Sequence, residues 1–218
     1  MLFRSRYLLA LRLCKDQTMA TAWAVLWAVF GAFGLPERLL SDNGFGPRGP
    51  SVGGLSWLEA RLVRLNITSV HGRAYHPQTQ GKVERLHRTL DEEVSPLLDW
   101  QLPDAALAGQ LEQWREQVYN AVRPHEALGD VPPATRWYPS ERQRPARLPA
   151  VVYPAEVETR KVMQRGEVSW RGFELMVGAG LQGERVGLWV QGNEVVVCYG
   201  PHELRRLQIN NLQKGRIQ

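Results

Sequence analysis

Apolar residues recur along the chain in three patterns, each predicting a different kind of element. Between Asp16 and Glu37 lie 20 uncharged residues, rich in Ala and carrying Trp23, Trp27, Phe30 and Phe33. That length reaches a membrane-spanning helix, and Arg4, Arg6, Arg12 and Lys15 precede it as basic residues precede a signal anchor. Gln17, Thr18 and Thr21 in its first turns, with two glycines and Pro36 at its end, instead predict a helix packed within a protein and capped by Asp16. Its unusually apolar outer face is then either a partner surface or the drift of an unselected copy.

The second pattern mixes a strand with amphipathic helices. Leu39-Leu40 runs into Ser41-Asp42-Asn43-Gly44, where a buried strand ends, a turn begins and a carboxylate projects over the sheet edge. The breakers Pro77 and Gly81 precede Val83, Leu86, Leu90 and Val94 at helical spacing, predicting a helix from Lys82 to Val94. Glu84 then shares a face with His87, Arg88 and Asp91, while Leu86 and Leu90 point into a core. Residues 104–128, with Ala, Leu, Gln and Trp114, predict a further helix ending before Gly129.

The third pattern begins beyond a proline-rich run. Pro132-Pro133, Pro139, Pro145, Pro149 and Pro154, interleaved with Arg136, Arg142, Arg144 and Arg147, predict a semi-rigid basic connector. From Val157 the chain alternates in short runs: 157–163, 168–170, 173–177, 185–190, 194–199 and 204–209. Turn signals separate them at Arg165-Gly166, Arg171-Gly172 and Gly192-Asn193, the last a two-residue hairpin signal. The expectation is a small β-barrel that folds on its own, packed on Trp170, Phe173, Leu175, Leu188 and Val196. No repeat is apparent.

Composition adds a little. With 44% hydrophobic and 22% charged residues, the chain can bury one sizeable core and a second small one, which predicts two domains. A net charge of +5 and a pI near 9.5 suit a polyanion partner. Cys14 and Cys198 stand at opposite ends, so no disulfide framework is implied and a reducing cytosol is expected. The five histidines show no zinc-ligand spacing with the cysteines.

The candidate chemistry lies in two carboxylates. Asp42 at a strand end and Glu84 just inside a helix can share hard divalent cations, the arrangement phosphodiester chemistry needs. Taken singly, an Asp before Asn-Gly is usually a turn residue, and a Glu beside Arg85 and Arg88 is usually part of a solvated face. Their order and surroundings weigh more than either alone. Arg4-Ser5-Arg6-Tyr7, Gly34-Leu35-Pro36-Glu37-Arg38 with Ser41-Asp42-Asn43-Gly44, Tyr75-His76-Pro77-Gln78-Thr79-Gln80-Gly81-Lys82-Val83-Glu84-Arg85, and Trp114 through Tyr119-Asn120 to Arg123-Pro124-His125-Glu126-Ala127-Leu128 follow one another. In that order they resemble the catalytic domain of DDE transposases and retroviral-type integrases, especially those of bacterial insertion sequences. The 41 residues between Asp42 and Glu84 are compatible with this, because the Gly-rich stretch 46–54 absorbs extra length.

The resemblance implies an α/β fold, a ribonuclease H-like integrase core followed by a small SH3-like β-barrel. Its implied divisions are a partial core at 1–130, a linker at 131–155 and the barrel at 156–218. Asp42 and Glu84 would be catalytic metal ligands for Mg²⁺ or Mn²⁺, and Tyr75, His76, Gln78, Lys82 and Arg88 would contact DNA. In a complete relative three carboxylates hold two ions about 3.5–4 Å apart for an in-line displacement. The implied partners are DNA, as element ends and target, and further copies of the chain, with no membrane and a cytoplasmic, nucleoid-associated location. The integrases' zinc-binding helical domain is not implied. His125 and Trp114 are more simply read as capping and packing the closing helix, while Arg160, Lys161, Arg165, Arg205 and Arg206 read equally as a track for DNA and as scattered surface charge.

The family places its first catalytic Asp upstream of the serine-arginine-tyrosine segment, where this chain starts. A truncated member is therefore expected. It would be inactive in strand cleavage, with the backbone of residues 4–13 short of sheet partners. The alternatives are a non-catalytic DNA-binding or dimerising remnant, and a remnant with no role.

Overall fold

The computed structural model describes residues 5–41, 43–46, 54–71 and 81–212. By packing, the chain divides into two compact units, residues 1–36 with 72–144 and residues 37–71 with 145–218.

The first unit is helical. α1 (Met19–Phe33) is N-capped by Thr18, whose hydroxyl accepts the Thr21 N–H. Asp16 reinforces that cap from two residues upstream, its Oδ1 accepting from the Thr18 N–H and from both threonine hydroxyls. The helix stops at Gly34, at φ +79°, where a Cβ would collide with the Ser140 backbone. Only Val29 and Phe30 of α1 are buried. No helix among the described residues is long and apolar enough to cross a membrane.

α3 (Gly81–Thr89) runs on through a π-helical turn to Val94, within the predicted span. As expected, Leu86 is buried and Leu90 packs beside it, on a small core of Leu8 and Tyr119 that Trp114 also joins. α4 (Asp104–Gln113) continues as a π-helical turn to Asn120, eight residues short of the predicted end, because Arg123-Pro124 starts a loop.

No strand forms in residues 5–15, yet the backbone at Leu8 is not left unpaired. Asn120 Oδ1 accepts its N–H at 2.8 Å, and its carbonyl accepts from Asn120 Nδ2 at 3.0 Å and Arg115 Nη1 at 2.9 Å. Buried side chains from the closing helix supply these partners. The proline-rich run is also more tightly held than its composition suggests. Trp137 stacks on Tyr7 at 4.2 Å and meets Phe33 edge-on. Ser140 bonds Leu35, the Arg142 carbonyl accepts the Leu35 N–H, and the Arg144 guanidinium lies over Trp27.

The second unit holds the strands. β1 (Arg38–Ser41) and β2 (Thr68–His71) pair in parallel, joined through α2 (Trp57–Arg64). A capping box between Ser56 and Glu59 starts that helix. β3 (Glu158–Lys161), β6 (Arg185–Gln191), β7 (Glu194–Tyr199) and β8 (His202–Gln208) form an antiparallel sheet in the order β3-β6-β7-β8. β4 (Glu167–Trp170) and β5 (Phe173–Met176) make a separate hairpin. The predicted runs lie within a few residues of these strands, and Gly192-Asn193 turns β6 into β7 with Gln191 opposite Glu194.

The described strands do not close into the expected barrel, since β3 and β8 are unpaired edges of an open sheet. One core joins sheet and hairpin: Val168, Trp170, Leu175, Val186, Leu188, Val195, Val197 and Tyr199. It reaches into α2 through Leu55 and Ala60, so the β unit is not self-contained. Further along, Leu148 and Pro149 accept hydrogen bonds from Arg64, and Tyr153 lies against Gly187 with its hydroxyl bonded to the Arg185 carbonyl. Cys14 and Cys198 are free thiols.

Candidate functional site

Asp42, Tyr75, His76 and Gln78 lie outside the described residues, and of Lys82 only its place in the first turn of α3 is described. Glu84 also stands in that first turn, where a carboxylate is favoured by the helix dipole. Its side chain is exposed, as is that of Arg88, and neither makes a hydrogen bond or ion pair with another described residue. The inward turn of Leu86 leaves Glu84 and Arg88 facing solvent, four residues apart on one helix. Glu84 is thus an available oxygen donor of the kind Mg²⁺ or Mn²⁺ takes. Among the described residues, however, no group of three or more His, Cys, Asp or Glu side chains is placed to hold a metal. Among the described residues Glu84 therefore offers one donor of the right chemistry, with no second or third beside it.

On the strand that leads to Asp42, the side chains form a chain of contacts. Ser41 Oγ lies 3.4 Å from His71 Nδ1 across the parallel register, and His71 Nε2 lies 2.6 Å from Glu59 Oε1. Glu59 is itself buried and accepts the Ser56 N–H at 2.7 Å. The capping box of α2 therefore extends through a carboxylate and an imidazole to the residue before Asp42. Nothing in the local sequence signals this, because Glu59 reads as an ordinary first-turn acid.

A second arrangement forms in the first unit at the C-terminal half of α3. A cavity of about 180 Å³ is lined by Arg6, Arg85, Thr89, Arg123, His125 and Glu126 among others. His125 carries the isolated bridge to Val131 through its backbone, and its ring meets Tyr119 edge-on at 5.1 Å. Its packing role is thus real, but Nε2 is enclosed without a hydrogen-bond partner among the described residues. Burial lowers the imidazole's pKa, and the charges of Arg123, Arg6 and Arg85 lower it further. Burial likewise raises the Tyr119 hydroxyl. Arg123 is held by both carboxylate oxygens of Glu93, and that pairing keeps Glu93 below the usual carboxylate range. Arg6, Arg85 and Arg123 were not among the expected contact residues. The signal for them is that each sits in a segment that carries the family resemblance: Ser5-Arg6-Tyr7, Glu84-Arg85 and Arg123-Pro124-His125.

The basic side chains of the strands are mostly committed. Arg206 bonds Glu203, Glu194 and Gln191, Arg160 pairs with Glu158, and Arg205 donates to the Met176 carbonyl. Lys161 and Arg165 are exposed without a partner among the described residues.

Residues 65–133, about a third of the chain, match the family model described as Integrase core domain. That segment contains β2, α3, α4 and its closing turn, and with them Glu84 and Arg88. Among solved structures, the chain is similar to one in the cryo-electron microscopy structure of the simian T-cell lymphotropic virus intasome in complex with PP2A regulatory subunit B56 gamma. Identity is 15% and the TM-score 0.40, over 92% of this chain and 66% of that one. The chain thus spans just under two thirds of that relative's length.

Proposed function

We propose that the chain is of the transposase or integrase kind, acting on DNA ends and target DNA as a ribonuclease H-like core (1–130), a linker (131–155) and a β unit (156–218). The observation that carries the reading is Glu84: it lies in the segment matching the Integrase core domain, in the first turn of α3, with an exposed carboxylate free of described partners. Asp42 is its proposed partner, at the end of the strand the Ser41-His71-Glu59 contacts hold in register. Mg²⁺ or Mn²⁺, when bound by these carboxylates, would activate water or a DNA 3′-hydroxyl and stabilise the leaving oxygen. Lys82 and Arg88 would neutralise backbone phosphates beside Glu84, and Tyr75, His76 and Gln78 would meet bases or sugar. The motif order favours a bacterial mobile element as the source and self-association on paired DNA ends.

A second reading is binding without cleavage, favoured by Asp16, whose carboxylate is occupied by Thr18 and Thr21 and so is not offered as a further ligand. Those hydrogen bonds lower its pKa and hold it as a helix cap. The 218-residue protein is therefore expected to bind DNA in a salt-sensitive way and to leave a labelled element end uncut across Mg²⁺ and Mn²⁺ concentrations. Cleavage abolished by both Asp42→Asn and Glu84→Gln would refute the inactivity and establish the site as complete. Cleavage indifferent to both would sink the assignment of these carboxylates.

A further inference from the structure

Three segments far apart in sequence meet in the cavity behind α3, and its charge is one-sided. The guanidiniums of Arg6 and Arg85 line it without a hydrogen bond or ion pair among the described residues. Arg123 adds a third positive charge, though its donors are taken by Glu93. Of the two carboxylates nearby, Glu93 is thereby neutralised and Glu126 stands exposed on the lining. The enclosed His125 Nε2 has no partner among the described residues, and Thr89 and Tyr119 are further polar side chains on the lining. Arg6 is held at φ +61°, a left-handed conformation that costs a non-glycine residue of order 1 kcal/mol or more. A cation is excluded by this field, and an apolar group would bury guanidiniums without compensation.

We propose that this cavity binds a phosphate group of a DNA strand, with Arg6 and Arg85 as its two charged contacts and the His125 residue on its wall. Guanidiniums suit the task because their planar donor fork matches phosphate oxygens. A volume of about 180 Å³ holds several waters and so admits a tetrahedral oxyanion. That the phosphate belongs to DNA rests on the strand-transfer reading above. Arg85 directly follows Glu84 on α3, so a strand lying along Glu84 would run past the cavity mouth.

The test uses the whole chain and a fluorescent DNA duplex, with anisotropy read over a range of salt. Arg6→Gln and Arg85→Gln, each checked for folding by circular dichroism, are expected to weaken binding several-fold. Each should also reduce the slope of log affinity against log salt by about one. Arg85→Lys should keep most of the slope, and Arg206→Gln, whose guanidinium is already occupied, should change nothing. In parallel, inorganic phosphate is titrated while the His125 ring resonances are followed. The expected result is a shift in the parent protein that Arg6→Gln and Arg85→Gln abolish. Ring shifts with DNA slopes unmoved would make this a free-phosphate pocket and overturn the DNA assignment. Slopes and resonances both unmoved would overturn the pocket itself. Failure of the strand-transfer reading looks different: slopes fall in the arginine variants while added Mg²⁺ or Mn²⁺ leaves DNA affinity the same in the parent, Asp42→Asn and Glu84→Gln proteins. A protein that binds no DNA at all overturns both.

Discussion

At the scale of single residues, the first unit depends on a few buried polar side chains that do the work of backbone. Asn120 is 2% exposed and satisfies both the N–H and the carbonyl of Leu8. Its truncation would leave a donor buried and an acceptor with one partner fewer, each unsatisfied group costing about 1–3 kcal/mol. Asn120→Ala is therefore expected to lower unfolding free energy by about 2 kcal/mol or more in urea titrations. Asn120→Asp, which keeps the acceptor for the Leu8 N–H but loses the donor, should fall between. Equal stability of Asn120→Ala and the parent would mean that residues 5–9 are held by something other than the closing helix. Arg115 belongs to the same arrangement. Buried to 3% exposure, it joins the Leu8 carbonyl to Glu112 and Glu116.

At the scale of elements, the strands and α2 form one folding problem. Gly180 sits where a Cβ would press into the backbone of Leu55 and Ser56, so the loop after β5 and the start of α2 approach at backbone contact. Leu55 and Ala60 then complete the core under Trp170 and Leu181. A fragment of residues 145–218 is expected to keep β-type circular dichroism. It should also bind a hydrophobic dye and unfold at lower temperature than the whole chain, because that apolar face is uncovered. A dye-silent fragment of undiminished stability would show that the strands fold independently of α2.

At the scale of the whole molecule, stability depends on pH at both ends of the range. In the second, burial pushes the Tyr153 hydroxyl up to about 12, and burial and the Glu184 carboxylate raise Tyr199 as well. A tyrosine whose folded pKa exceeds its unfolded value of about 10 contributes stability that is whole below pH 10 and is lost as pH rises toward the folded value. In the first unit, Glu93 and Glu112 are held low by hydrogen bonds from Arg123 and Arg115. Their contribution is present above the usual carboxylate range and fades as pH falls through it. Solvent screening keeps this acid effect small, since Glu93 is exposed and Glu112 half-exposed. Urea midpoints should thus be level near neutrality and drop steeply between pH 10 and 12. Tyr153→Phe and Tyr199→Phe should each flatten that drop; a slope unchanged in both variants would refute its assignment to these hydroxyls.

Much of this was legible along the chain. Local spacing records which face of an element is apolar, so the ends of α1, the inward Leu86 and Leu90, and the β runs from Val157 onward were all readable. So was the packing role of Trp114, because a large aromatic on a closing helix has little else to do. What spacing cannot record is where single polar groups find partners over long separations. Leu8 and Asn120 are 112 residues apart, and nothing near either announces the pairing. Arg6, Arg85 and His125 likewise share a cavity only once the helices have packed. The proline-rich run reads as a connector because proline and arginine alone give no core, yet Trp137 and Tyr153 within it anchor to partners distant in sequence. Barrel or open sheet was decided in the same way. Edge strands close only if their backbones reach one another, and β3 and β8 remain apart at the two edges of the sheet.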